Sequence, residues 1–400
     1  MSVQAASLWD LPRERLIRAV EVSEYMLGEG RKNTDANDTV IGLAERLVAA
    51  GLPLERMTSI VWLLHAEDAA SVRIWDRGKP VRSFTFSYTP GARDGFENSP
   101  AGENHRTGEW LELWIPDTPD DRFNVIPDLK AEGITHYLSM PTTAMGMQNS
   151  FSFATRSPKG FDAQDIAILR AVFPAVEACQ EILVTHRIIN EVTRMYIGDG
   201  PHKRVLAGDV HRGEVMKINS AILFADMRRF TAITANMTAE EATSLLNAYY
   251  DCVVPQIEER GGSVLKFMAD GILAIFPAEN DDAAACRSAL DAALCSLDAV
   301  AKQAAGSGPS FEVGISLHLG EVAYGNVGSG TRLDYTVIGR DVNMASRIAS
   351  LCGSENEPLL VSHAFAERSG AEFSPFGDFP LKGLAGQHTI YRLVHDALTG

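Results

Sequence analysis

The chain has 400 residues, 46% hydrophobic and 22% charged, and its 52 acidic against 36 basic side chains give a formal net charge of −16. That length calls for two or three domains, and the composition is ordinary for a globular protein in water. Such acidity argues against nucleic acid or anionic membranes as partners. No run approaches the ~18 apolar residues of a membrane span, and the first fifteen residues lack the apolar stretch of a secretory leader, so a cytoplasmic location is expected. Cys179, Cys252, Cys286, Cys295 and Cys352 are scattered, without a C-x-x-C pair, and are expected to be reduced thiols.

All five tryptophans (Trp9, Trp62, Trp75, Trp110 and Trp114) fall within the first 114 residues, an early sign of a composition boundary. Residues 1–50 carry apolar positions at helical spacing until Gly51-Leu52-Pro53 stops them. Between 58 and 90 the period changes. Ser59–His65, Ala70–Trp75 and Val81–Tyr88 are short, β-branched or aromatic, and separated by turn residues, so they predict strands; Thr135–Met140 and Asn149–Thr155 predict two more. Helix, antiparallel strands and a closing helix make an α+β layered domain over 1–160. Its element order, with the FDAQDIAIL stretch after the last strand, resembles a GAF-type sensor. His65, Cys179 and the tryptophans are more readily core than pocket.

Residues 161–213 predict a helical signalling linker. Ile168, Ala175, Ile182, Ile189 and Tyr196 recur every seven residues, flanked by Leu169, Val176 and Leu183. That repeat favours helix pairing, the alternative being one helix packed on its own domain; Pro174 predicts a break or kink. Gly198–Gly213 then reads as a glycine-rich hinge. Over 214–400 the predicted order is strand (220–225), helix (239–260), strands (264–267 and 272–276), helix (281–304) and strand (311–319). This β-α-β-β-α-β order is the ferredoxin-like split βαβ.

Three groups of residues carry chemistry there. Asp226 ends an apolar strand before a turn; it can hold a divalent cation or cap the turn. Asp270, in Ala269-Asp270-Gly271, is either a hairpin turn residue or a second metal carboxylate facing the first. Asn343 and Arg347, four apart, share one face of a helix beginning near Asp341, and can orient a ribose and stabilise phosphate charge or stand solvated.

The runs FADMRRFT, LKFMADGILAIF, VGISLHLGEVAYGNVG, YTVIGRDVNMASR and PLKGL, in this order, resemble the catalytic domain of class III adenylyl and guanylyl cyclases over about residues 219–395. The resemblance implies roles. Asp226 and Asp270, with the Met227 carbonyl, bind two Mg²⁺ or Mn²⁺ ions per site. Phe230 and Thr231 lie in the phosphate turn, and Lys382 contacts the polyphosphate. Asn343 and Arg347 serve the transition state. Lys266 reads the purine with Thr336 as partner, a Lys–Thr pair similar to that of a subgroup of adenylyl cyclases often responsive to bicarbonate. Guanine would want a carboxylate at Lys266, and none is expected there. The implied activity is ATP to 3′,5′-cyclic AMP and pyrophosphate, in a head-to-tail homodimer whose N-terminal domain answers a small molecule or bicarbonate. The alternatives are a guanylyl cyclase and a non-catalytic nucleotide-binding homologue. Arg229 and Ala269 depart from the glycines often found at those positions in the family.

Overall fold

The structure is a computed structural model that describes residues 11–306 and 309–394. Trp9 and the extreme N-terminus lie outside the described residues. The chain divides into two compact units, Met1–Val192 and Thr193–Gly400.

In the first unit, α1 (Arg13–Leu27) and α2 (Ala36–Ala49) are followed by β1 (Arg56–Trp62), β2 (Asp68–Asp76), β3 (Arg82–Ser87), α3 (Pro90–Glu97), α4 (Pro100–Thr107), β4 (Leu111–Trp114), α5 (Ile126–Ala131), β5 (His136–Ala144) and β6 (Met147–Thr155); α6 runs Ala163–Ile197. The strands form one antiparallel sheet ordered β3-β2-β1-β6-β5-β4. The short pieces α3, α4, α5 and β4 escape the periodicity of the sequence because each is eight residues or fewer, too short for a repeating pattern to register. Met57, Leu138, Met140, Phe151 and Phe153 from the strands pack with Val22, Met26, Leu43 and Leu47 from the helices. Cys179 belongs to this core, and burial pushes its thiol up to about 11.

The seven-residue repeat of α6 divides in two. Ile168, Leu169, Ala175 and Val176 are buried in the unit's own core, which is the single-helix alternative, whereas Tyr196 is 81% exposed. Helix α6 also runs unbroken past Pro174.

In the second unit the expected glycine-rich hinge holds a helix, α7 (Asp199–Leu206). Gly198 has φ 82° at its start, and a Cβ there would stand 2.7 Å from the Val264 carbonyl oxygen, so this glycine permits a close approach rather than a flexible joint. Then come β7 (Val215–Met227), α8 (Phe230–Thr234), α9 (Ala239–Glu258), β8 (Ser263–Met268), β9 (Gly271–Pro277), α10 (Asp282–Ala305), β10 (Val313–Gly328), β11 (Leu333–Ile338), α11 (Arg340–Ser354), β12 (Leu359–Ser362), α12 (His363–Ser369), β13 (Phe373–Pro380) and β14 (Gln387–Leu393). The sheet order is β13-β14-β12-β10-β7-β9-β8, with β11 on β10. The split βαβ order is therefore present, but β10 extends nine residues beyond the expected end at Leu319, through Gly320, Gly325 and Gly328. A Cβ at Gly325 would meet the Glu214 carbonyl oxygen at 2.1 Å, so glycine is what lets β7 pair along this stretch.

Candidate active site

Strand β7 lies between β10 and β9, and Ser220–Ala225 is buried throughout because both sheet faces are covered. Asp226 is the first residue to emerge, opposite Gly271. The Met227 amide donates to the Asp270 carbonyl at 2.9 Å, which ties the strand end to the β8–β9 hairpin and sets the two aspartates side by side. Desolvation, and then the neighbouring Asp270 carboxylate, push the Asp226 carboxyl up to about 6. Among the described residues no Lys or Arg pairs with either. Two adjacent carboxylates without a counter-ion, beside a backbone carbonyl, are a hard-oxygen donor set that fits Mg²⁺ or Mn²⁺.

Tyr249 and Tyr250 of α9 back this pair. Tyr249 is fully buried with an unpartnered hydroxyl, and burial followed by Asp226 holds its proton well above the usual range. The Tyr250 hydroxyl donates to the Ala269 carbonyl and its ring lies 4.6 Å from that of Phe267, pinning the hairpin. Both bends around the aspartates are left-handed: Arg229 has φ 57° and Ala269 φ 54°. Beyond Arg229, Phe230 and Thr231 form the first turn of α8.

Lys266 stands on β8, and its ammonium donates to Asp334 Oδ2 at 2.8 Å. The expectation that no carboxylate stands at Lys266 is corrected: Asp334 and Thr336 are two apart on β11 and so lie on one face of it. The i, i+2 spacing was the available signal for Asp334. The lysine in turn holds the Asp334 carboxyl below the usual range.

Helix α11 carries Asn343 and Arg347, both exposed. Its start is fixed by Asp341, whose Oδ2 accepts from the Glu321 amide at 2.9 Å and whose Oδ1 lies 3.6 Å from His318 Nε2. The other nitrogen of His318, Nδ1, lies 2.7 Å from Ser362 Oγ. His318 is thus structural, a buried clasp for the helix. Lys382 is exposed just after β13. Among the described residues, no hydrogen bond or ion pair joins Asn343, Arg347 or Lys382 to Asp226 or Asp270.

Residues 216–395 match the family model of the Adenylate and Guanylate cyclase catalytic domain, so this part of the chain is similar to class III cyclase catalytic domains. Among relatives, an adenylate cyclase of Anabaena cylindrica is 39% identical over 151 residues, 36% of this chain and 29% of that protein. An uncharacterized protein of Mycobacterium tuberculosis is 34% identical over 169 residues, 41% of this chain and 31% of that protein. The chain spans less than a third of the length of these curated relatives. Similar solved structures include the adenylyl cyclase CyaB of P. aeruginosa (26% identity, TM-score 0.41, 45% of this chain and 96% of that one). Another is the guanylate cyclase domain of RhGC from Catenaria anguillulae in complex with GTP (19% identity, TM-score 0.38, 45% and 98%). No described helix is long and apolar enough to cross a membrane.

Proposed function

We propose that the second unit converts ATP to 3′,5′-cyclic AMP and pyrophosphate as a homodimer under control of the first. The observation that carries this reading is the Asp226–Asp270 pair at adjacent strand ends, two carboxylates with no cationic partner among the described residues, in a domain that also has Lys266, Asn343, Arg347 and Lys382. Divalent metal held by these carboxylates and the Met227 carbonyl would neutralise the triphosphate and acidify the ribose 3′-hydroxyl. Asn343 orients the ribose, while Arg347 and Lys382 offset charge on the phosphates. The 3′-oxygen forms its bond to the α-phosphorus as the bond from that phosphorus to the β-phosphate bridging oxygen breaks. The hydroxyl proton leaves to solvent.

Thr336 and Asp334 beside Lys266 supply acceptors for the adenine amino group. The homodimer is supported by the lack, among the described residues, of any hydrogen bond or ion pair within one chain between the metal carboxylates and the Asn343/Arg347 group. Exposed apolar side chains at the edge of the sheet, Phe267 and Met268 of β8 and Ile338 of β11, suit burial by a second copy. A second reading, guanylyl cyclase, is favoured by one observation: the Asp334 carboxylate could accept from guanine N1–H and N2–H₂. Cyclic nucleotide formed from ATP or GTP, with Mg²⁺ or Mn²⁺, distinguishes them. Cyclic AMP abolished by Asp226→Ala and by Arg347→Ala supports the proposal; a preference for GTP, or no product from either purine, removes it.

A further inference from the structure

We propose that the first unit holds a small aliphatic monocarboxylate in a cavity between its sheet and helices α2 and α6. The cavity has a volume of about 60 Å³. At ~10–15 Å³ for each water-sized occupant, it takes a ligand of about four to six non-hydrogen atoms. Its walls are chiefly apolar, with Met26, Val40, Leu43, Val61, Val176 and Val184 among them.

Two of the polar side chains that line it hold unspent donors. Arg73 of β2 is opposite Ser59 of β1, which is opposite Phe151 of β6, so one row across three strands forms the floor. The Arg73 Nε is buried and has no hydrogen-bond partner. Gln180 of α6 is 7% exposed; its Oε1 accepts from the buried Thr142 hydroxyl, which leaves its Nε2 buried and unpartnered. Two orphaned donors on opposite walls of one cavity are costly unless an acceptor sits between them.

The charges select a monoanion. Arg187 lines the cavity too, but its Nε is bonded to Glu191 at 2.7 Å. Burial, then the nearby Arg187, disfavour the charged form of Arg73, while Asp35 and Glu191 favour it, more weakly. One arginine thus remains to be neutralised, which suits a carboxylate rather than a phosphate dianion. The apolar walls suit a short hydrocarbon tail and distinguish such an acid from bicarbonate, which offers the same head group without one.

The test uses the full chain and reads binding, not turnover, so it succeeds or fails independently of the cyclase assignment. Thermal unfolding and titration calorimetry are followed with sodium propionate, acetate, bicarbonate and chloride at equal ionic strength. Propionate is expected to bind saturably and more tightly than acetate, and acetate more tightly than bicarbonate. Arg73→Met, which keeps the side chain's apolar stem, is expected to raise the half-saturating concentration about tenfold or more, the loss of one charge-assisted hydrogen bond. Val61→Leu, which fills the cavity with an apolar group, should weaken propionate as well and covers the case in which Arg73→Met does not fold. Propionate behaving like chloride would mean the cavity holds only water and would overturn the proposal. So would bicarbonate binding most tightly, or unchanged propionate binding in either folded variant.

Discussion

Replacing Arg229 and Ala269 by glycine should stabilise the second unit. Both residues bend the chain at positive φ, 57° and 54°, on either side of the aspartate pair. A left-handed L-residue costs roughly 1–2 kcal/mol. Glycine returns about 0.5–1 kcal/mol of that through the extra freedom of the unfolded chain. The net gain is about 0.5–1 kcal/mol per site. Little else is lost: the Arg229 side chain is exposed and makes no hydrogen bond among the described residues, and its carbonyl, which accepts from the Ala232 and Ile233 amides, is kept by glycine, as is the position-269 carbonyl that accepts from Tyr250. At roughly 2–4 °C per kcal/mol for a domain of this size, the double variant Arg229→Gly/Ala269→Gly should unfold about 2–8 °C higher by scanning calorimetry. The β-branched replacement Ala269→Val should lower the transition. A lower transition for the glycine variants, or an unaffected one for Ala269→Val, would refute the strain argument.

Other outcomes follow from other parts of the molecule. If the site forms between two copies, mixing equal amounts of inactive Asp226→Ala and Arg347→Ala protein should restore about a quarter of wild-type activity, since half the dimers would carry one intact site of two; no recovery after subunit exchange counts against shared sites. Asp334→Asn should alter the ATP-to-GTP ratio of kcat/KM while leaving Mn²⁺ dependence unchanged, and an unaltered ratio would put Asp334 outside base recognition. His136 gives a pH dependence. Burial lowers its pKa below 6.5, its Nδ1 accepts from the Phe161 amide at 3.0 Å, and its Nε2 lies 3.1 Å from Glu112. Protonation would set a second N–H against the Phe161 amide. Because the folded-state pKa is the lower one, this stability is present above pH about 6.5 and is lost as pH falls through the folded value. His136→Gln should flatten the acid side of the unit's unfolding profile, measured by near-ultraviolet dichroism between pH 7 and 5.

The second unit was legible where one residue type serves one local rule. Apolar Ser220–Ala225 ending at Asp226, the hairpin around Asp270 and the i, i+4 pair Asn343/Arg347 all stand in the elements expected of them. Arg229 and Ala269 were visible as departures, and the positive φ at both supplies the physical reason a glycine belongs there. What escaped depends on tertiary partners. The glycines of β10 look like loop residues until the backbone of β7 and the Asp341 carboxylate are seen against them. Asp334 is an unremarkable strand acid until β8 brings Lys266 to it. The repeat in α6 does not reveal which half its own core will bury. The donors at Arg73 and Gln180 are 107 positions apart, and only the sheet and α6 bring them to one cavity.

The pairing of Lys266 with Asp334 separates two kinds of ionic-strength dependence. A base-reading lysine already neutralised within its own chain adds no net charge with which to draw in a triphosphate. In the proposed cyclase, attraction of the nucleotide would then rest on Lys382, Arg347 and bound metal, and would weaken as salt screens them. Choice between adenine and guanine would rest on short contacts at an electrically neutral edge. Affinity for both purines should therefore fall together with added salt while their ratio holds steady, even though the protein as a whole carries a charge of −16.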